Sequence, residues 1–283
     1  MAATPETSER ISPVRMLRFG DDGLRADRDV VAREEPLEIQ LSGVPLAVVM
    51  RTPGHDEELA AGFLLTERVI AAPDDVVSIR HCREARSPEA ADNVVRVVLS
   101  EGVAVDWEAL RRNLYASSSC GLCGKATIEN ALACAPPLDD PARFAPELLP
   151  GLPGRLEAAQ TAYARTGGLH AAGLFDAQGR LLTAREDVGR HNAVDKVLGA
   201  RLREKHWPLP GHLLLVSGRV SFEIVQKALA ARIPLVAGVS APSSLAVELA
   251  ARARMGVVGF LRGGAFNVYA ETARLVGAAG ADA

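Results

Sequence analysis

The spacing of apolar residues divides the chain into two parts. Between residues 36 and 115 short alternating runs predict strands at 38–41, 47–50, 76–81 and 93–99, with helices at 56–66 and 107–115. From residue 156 the pattern predicts helices at 156–165, 191–202, 222–231 and 244–255, and strands at 170–176, 180–185, 212–217, 234–239 and 257–261. This order predicts an α/β fold with a mixed sheet covered by helices on both faces, preceded by a small N-terminal α+β domain.

The same pattern predicts four segments. Residues 1–35 are expected to be disordered or extended, and residues 36–115 to form the small α+β domain. Residues 116–155 hold a cysteine loop, a short helix at 125–134 and a proline-rich linker, and residues 156–283 form the α/β domain.

Composition narrows the class of protein. Hydrophobic residues make up 48% and charged residues 24% of the 283 residues, which is typical of a globular chain. The net charge of -3 gives no electrostatic reason to expect a nucleic-acid partner. No signal-peptide pattern and no apolar run of ~18 residues is present, so we expect a cytoplasmic protein that does not enter a membrane.

A CxxC motif is the first candidate for chemistry. Cys120 and Cys123 lie in a Ser/Gly-rich loop just ahead of the predicted helix at 125–134, and Lys125 adds a positive charge. Helix N-terminal amides and a nearby cation lower a thiol pKa to roughly 3.5–7.5, so both cysteines are predicted to be catalytic. A zinc site would need a second ligand pair, and a thioredoxin-like motif would need a hydrophobic strand directly before it. Cys82 and Cys134 are expected to be structural or incidental.

A second pattern, around His55, resembles a metal site but lacks its ligands. His55 and Glu57 followed by CxxC are similar to the zinc deaminase signature, but Ser119 replaces the proline. In the C-terminal part, whose element order is that of a cytidine deaminase, Ala193 and Phe222 occupy positions where the general-base glutamate and a cysteine would be needed. We therefore expect a cytidine-deaminase-like domain without zinc, and His55 at the surface at the start of a helix.

Polar residues follow several predicted strands, where open α/β sheets bind ligands. Helix N-termini and arginines there suit phosphate groups, although each segment is also compatible with ordinary turn and cap chemistry. The candidate cofactor-binding residues are Arg190, His191, Asp195, Ser217, Gly218, Arg219, Ser240, Ser243, Gly263 and Gly264.

Together these segments resemble the FdhD family of formate dehydrogenase accessory proteins. The resemblance rests on SSCGLCGK at 118–125, REDVGRHNAVDK at 185–196, SGRVSFE at 217–223, SAPS at 240–243 and GFLRGG at 259–264. It implies that a cysteine desulfurase donates a persulfide sulfur to Cys120, which delivers it to the bis-molybdopterin guanine dinucleotide molybdenum cofactor for formate dehydrogenase. It also implies a cytidine-deaminase-like second domain, a homodimer and binding of guanine nucleotides such as GDP.

The resemblance further implies a cofactor-binding segment at 260–265, which comprises Phe260, Leu261, Arg262, Gly263, Gly264 and Ala265. Two other classes of function stay open from the residues themselves. One is a CxxC thiol-disulfide oxidoreductase, and the other is a nucleotide-binding module without catalytic cysteines.

Overall fold

The computed structural model describes residues 9–82, 92–107, 110 and 136–276, which form three sheets and several helices. Cys120, Cys123, Cys134, the helix predicted at 125–134 and most of the helix predicted at 107–115 lie outside the described residues. None of the described helices is long and apolar enough to cross a bilayer.

The described elements follow the predicted order closely. The strands are β1 (Ile11–Gly20), β2 (Gly23–Ala32), β3 (Glu35–Leu41), β4 (Val44–Arg51), β5 (Val76–His81), β6 (Val94–Leu99), β7 (His170–Phe175), β8 (Leu181–Asp187), β9 (Leu213–Val216), β10 (Leu235–Gly238), β11 (Gly256–Arg262) and β12 (Ala265–Ala270). The helices are α1 (Asp56–Thr66), α2 (Leu152–Ala158), α3 (Tyr163–Thr166), α4 (Arg190–Arg203), α5 (Phe222–Ala230) and α6 (Ser244–Arg252), with 3-10 turns at Pro73–Asp75, Pro146–Gly151 and Thr272–Arg274.

The main sheet has the order β12-β11-β10-β9-β7-β8. Strands β9, β10 and β11 are parallel, while β7 runs antiparallel to both β8 and β9. Alternate residues of the strands point to opposite faces. Leu174 and Leu214 enter an apolar cluster with α4, α5 and α6, whereas Phe175 and Leu213 pack against Leu152 of α2 and its neighbours. The predicted α/β fold, with a mixed sheet and helices on both faces, is therefore confirmed.

The N-terminal α+β part is not a separate body. Its four-stranded sheet, in the order β4-β3-β6-β5, packs with α1, and α1 is apolar nearly all round because it lies between this sheet and α4. The helices cross at two glycines. A Cβ atom on Gly62 would overlap the carbonyl oxygen of Asp195, and one on Gly199 would overlap that of Glu58. A single apolar cluster consequently joins both parts.

Three features differ from the sequence-based expectation. Residues 11–32, expected to be disordered or merely extended, form the β1–β2 hairpin, in which exposed apolar residues such as Phe19 and Leu24 conceal the usual alternation. The proline-rich linker is not free chain from residue 136 onward, because Leu138, Phe144 and Leu149 are buried. Strand β12 was not predicted; it pairs with β11 through a Gly263-Gly264 turn in which both residues have positive φ.

The single helix predicted at 156–165 is divided into α2 and α3. Its interruption has a local cause. The backbone amides of Ala162 and Tyr163 donate hydrogen bonds to the carboxylate of Glu186, at 3.1 and 2.7 Å, rather than to the carbonyls of the preceding helical turn. A continuous helix would leave the buried Glu186 without these donors.

Candidate nucleotide site at the carboxyl edge of the main sheet

The candidate site lies where the parallel strands end. The segment after β9 carries Ser217, Gly218 and Arg219, and the segment after β10 carries Ser240 and Ser243. Because β7 is antiparallel to β9, its first residue, His170, lies at this same edge, and the end of β8 and the start of α4 lie beside it. With the end of β11 and the starts of α5 and α6, one edge collects residues from five strands and three helix N-termini.

Backbone hydrogen bonds hold these segments together. The amide of Val220 donates to the carbonyl of Ala241 at 3.1 Å, and the amide of Ser243 donates to the carbonyl of Val220 at 3.0 Å. The amide of Phe260 in turn donates to the carbonyl of Ser240, also at 3.1 Å. The structure thus brings together three of the loops that the sequence selected.

Two of the three serines already have intramolecular partners. The hydroxyl of Ser217 accepts from the amide of Ala171 at 2.9 Å, which fixes the start of β7 to the end of β9. The hydroxyl of Ser243 accepts from the amide of Ala246 at 3.3 Å and so caps α6. The helices α4 and α5 have no such side-chain cap, and their N-terminal amides face the edge.

The basic groups at this edge are the most distinctive part of the site. The Nε atom of Arg190 is buried and has no hydrogen-bond partner within the described residues. A Cβ atom on Gly218 would lie 3.5 Å from Nδ1 of His170 and 3.8 Å from Cδ of Arg190, so both side chains line the space above this glycine. Burial, followed by the charges of Arg190 and His191, lowers the pKa of His170 below its ordinary value.

His191 is held by an acidic partner. Its Nε2 atom lies 2.9 Å from a carboxylate oxygen of Glu223 and 3.5 Å from the hydroxyl of Ser221, both at the start of α5. Burial raises the pKa of Glu223, but the hydrogen bond and charge of His191, with the charges of Lys227 and Arg190, outweigh it and leave that pKa below its usual value. This pair connects the N-terminal turns of α4 and α5.

The segment at 260–265 forms the outer end of the site. Phe260 has a φ of 53° at an irregularity in the pairing of β11 with β12, and the guanidinium of Arg262 lies over its ring, 5.5 Å from the ring centroid. Gly263 and Gly264 are the exposed hairpin turn and Ala265 begins β12. Leu261 is fully buried in the core, so its side chain does not line this surface.

Asp195 is not at the edge. Its carboxylate, 2% exposed, accepts hydrogen bonds from Lys227 at 2.8 Å and from Thr66 at 3.0 Å, where α1, α4 and α5 meet. The structure therefore gives Asp195 protein partners in place of the predicted ligand contact.

Asp187, Asn192 and Lys196 of the same sequence motif also face inward. Asp187 lies 2.7 Å from the ammonium of Lys196 and accepts from the Asn192 side chain at 3.0 Å. Lys196 also donates to the carbonyl of Thr52, and Asn192 to that of Met50, both in the N-terminal part. The motif at 185–196 therefore divides into residues that join the two parts of the chain and residues that face the edge.

Two residues of this edge were not predicted to bind: His170 and Glu223. His170 has no motif of its own, and the pairing of β7 with β9 places it beside Gly218. His55, expected at the surface, begins α1 as predicted but is half-buried, with Nδ1 3.3 Å from Glu58 and Nε2 2.5 Å from Arg10. Among the described residues no three histidine, cysteine or acidic side chains come together as metal ligands.

The fold and the polar edge define a mixed α/β protein with a candidate ligand site at the carboxyl ends of its parallel strands. Comparison with known proteins gives its family. The model of the FdhD/NarQ family matches residues 32–276, so the chain belongs to that family.

Curated relatives agree with this membership over nearly the whole chain. "Sulfur carrier protein FdhD" of Streptomyces avermitilis is 51% identical over 265 residues, covering 92% of this chain and 94% of its own. The protein of the same name from Mycobacterium tuberculosis is 47% identical over 267 residues, covering 92% and 97%. A crystal structure from Desulfotalea psychrophila, described as a candidate formate dehydrogenase accessory protein, matches with a TM-score of 0.74 at 24% identity, covering 94% of this chain and 99% of that one, and shows the same fold.

Proposed function

We propose that this protein is a sulfur carrier that accepts a persulfide sulfur on Cys120 and delivers it to the bis-molybdopterin guanine dinucleotide molybdenum cofactor, its substrate. The observation that carries the proposal is family membership over residues 32–276 together with relatives named as sulfur carriers. The CxxC motif at 120–123 supplies the thiols that such a carrier needs. We infer a cytoplasmic homodimer whose partners are a cysteine desulfurase and formate dehydrogenase.

The chemistry is a sequence of thiol exchange steps. The Cys120 thiolate attacks the outer sulfur of the desulfurase persulfide, forming a new S–S bond while the desulfurase cysteine leaves as a thiolate. Attack of Cys123 on the inner sulfur of Cys120 then forms a Cys120–Cys123 disulfide and releases the carried sulfur as hydrosulfide. A dithiol reductant must afterwards supply two electrons and two protons to restore the cysteines.

The second part of the proposed function is nucleotide binding at the carboxyl edge of the main sheet. Phe260 is available to pack against a guanine ring, and Arg190, Arg219 and Arg262 are available to phosphate groups. The amides at the uncapped starts of α4 and α5 add further donors for an anion. GDP is the natural test ligand because it carries both the base and the diphosphate of the cofactor's nucleotide part.

Chain length permits the cysteines to serve this edge. The chain re-enters the described structure at Pro136, whose carbonyl accepts a hydrogen bond from Arg232 just before β10, at the amino end of the parallel strands. Cys123 and Pro136 are 13 residues apart, and a chain of this length spans at most about 43–47 Å. A strand of the length of β11 covers only about 23 Å.

Mass spectrometry of the 111–135 segment tests the carrier step directly. After incubation with a cysteine desulfurase and cysteine, wild-type protein should gain one sulfur on Cys120, and Cys120→Ala should transfer none. Cys123→Ala should still load sulfur but transfer it less well. Absence of sulfur on Cys120 combined with rapid redox cycling against a dithiol substrate would favour a thiol-disulfide oxidoreductase. We also expect no stoichiometric zinc by elemental analysis.

A further inference from the structure

The His170 side chain stands among positive groups at the candidate nucleotide edge. The charges of Arg190 and His191, at the start of α4, act on the His170 ring. The His170 and Arg190 side chains both line the space above Gly218. Because like charges at short range repel, these neighbours oppose a positive charge on His170 in the free protein.

The acidic groups nearby are already committed. Asp187, opposite His170 in the β7–β8 ladder, is fully buried and bound by Lys196, Asn192 and two backbone amides. Glu223 on α5 is bound by His191, with Lys227 behind it on the same helix. Arg219, on the loop after β9, adds another positive charge. Neither carboxylate is therefore available to neutralise Arg190 and a protonated His170 together.

The buried Nε of Arg190, which has no partner among the described residues, is a second and independent observation that points to an anionic ligand. We propose that His170 and Arg190 together hold the diphosphate of a bound nucleotide, and that His170 takes up a proton when the nucleotide binds. This inference rests on the proposed nucleotide site and adds to it a binding residue that its sequence motifs do not contain.

The expected pH dependence follows from the electrostatics. In the free protein burial and the adjacent cations lower the pKa of His170, so its imidazole is neutral at neutral pH. A bound diphosphate reverses the sign of the local potential and raises that pKa. Between the free and bound pKa values the complex holds one more proton than the free protein, so binding tightens as the pH falls, by at most about tenfold per pH unit for a single proton.

Calorimetry with GDP measures this linkage. Titrations near pH 6.5 in buffers of different ionisation enthalpy give the number of protons taken up per GDP bound. Wild-type protein should take up a fraction of one proton more than His170→Gln, and any proton exchanged by GDP itself cancels in this difference. His212→Gln is the matched control, because His212 precedes β9 at the opposite end of the strands, where its Nδ1 atom lies 2.7 Å from the carbonyl oxygen of Pro210. It should behave as wild type.

The affinity provides a second measurement. His170→Gln should weaken GDP binding about tenfold at pH 6 and much less at pH 8. Nuclear magnetic resonance of the His170 ring in the unmutated protein, with GDP and with inorganic pyrophosphate, avoids any folding defect of the variant and should show its titration moving to higher pH with either ligand.

Equal proton uptake by wild type and His170→Gln, or an unmoved His170 titration in saturated complex, would overturn this inference while leaving the nucleotide site intact. Failure of the wild type to bind GDP at any pH would instead overturn both this inference and the proposed nucleotide binding. Sulfur loading of Cys120 is measured without GDP and stays an independent result.

Discussion

The buried charges between the helices and the charges at the sheet edge differ in how completely they are matched. Between α1, α4 and α5, Asp195 is bound by Lys227 and Thr66, and beside them Asp187 is bound by Lys196 and several hydrogen-bond donors. At the edge, less than two helical turns away along α4, Arg190 retains a buried Nε without a partner in the described structure. One sequence motif supplies both regions, so the matched charges hold the fold and the unmatched ones are left for a ligand.

The largest effect is expected from removing Asp195, which we predicted from the sequence to bind the cofactor. Asp195→Ala leaves the ammonium of Lys227 buried without its counter-ion and should lower the free energy of unfolding by roughly 3–5 kcal/mol. Urea unfolding measures this. Glu248→Ala, which removes an exposed pair with Arg252, is the control and should cost less than about 1 kcal/mol. If Asp195→Ala instead kept its stability and lost GDP binding, Asp195 would be a ligand-binding residue and not a structural one.

The next largest effect is expected at the helix crossing that supports both regions. Gly199→Ala introduces a Cβ atom against the carbonyl of Glu58 and forces α1 and α4 apart, which should cost roughly 1–3 kcal/mol. Gly154→Ala on α2, where a Cβ meets nothing within 4 Å, should instead be neutral or slightly stabilising, by up to about 1 kcal/mol. Chemical unfolding of both variants compares them. Equal stabilities would mean that the crossing is not tight.

At the edge, Arg190→Ala should have the opposite profile from Asp195→Ala. Loss of a charge-assisted contact should weaken GDP binding about tenfold to a hundredfold, with little change in unfolding free energy because the Nε atom of Arg190 has no hydrogen-bond partner among the described residues. Arg252→Ala, remote from the edge, is the matched control for calorimetry. A destabilised Arg190→Ala protein with normal GDP affinity would show that Arg190 stabilises the fold and does not bind the ligand.

The last expected effect is confined to acid pH and concerns a matched pair outside both regions. Arg185 and His55 hold the pKa of Glu58 at about 2 against the opposing effect of burial, below its ordinary 4.5. Because the folded-state pKa is the lower one, the stabilisation from this carboxylate is complete above about pH 4.5 and is lost as the pH falls toward 2. Glu58→Gln should therefore be less stable than wild type at pH 6 and approach it near pH 2, as unfolding curves across that range would show.

The strand order of the C-terminal part could be predicted because its strands are short apolar runs separated by clear helical periods. The same reasoning selected the loops after β9 and β10, and the structure brings these together through the hydrogen bonds of Val220 and Phe260. The β1–β2 hairpin was missed because Leu17, Phe19 and Leu24 are exposed and its strands alternate without a buried face.

The candidate site could be predicted only in part. Asp195 and Lys196 come about one and a half helical turns after Arg190 and His191 on α4. Sequence spacing alone does not show which of these polar residues point toward solvent and which toward a neighbouring helix. That division depends on α1, more than 120 residues away, whose packing provides Thr66 as a partner. His170 was missed for a related reason, since its neighbours Gly218 and Arg190 become adjacent only when β7 pairs with β9.

The contact of Gly62 with α4 also has a consequence for how the chain is made on the ribosome. Gly62 and Gly199 are 137 residues apart. Synthesis of the chain between them takes roughly 7–27 s at usual rates. During that time Leu59 and Leu64, fully buried in the finished protein, have no α4 to pack against. We therefore expect the nascent N-terminal part to expose apolar residues of the α1 segment until α4 has left the exit tunnel.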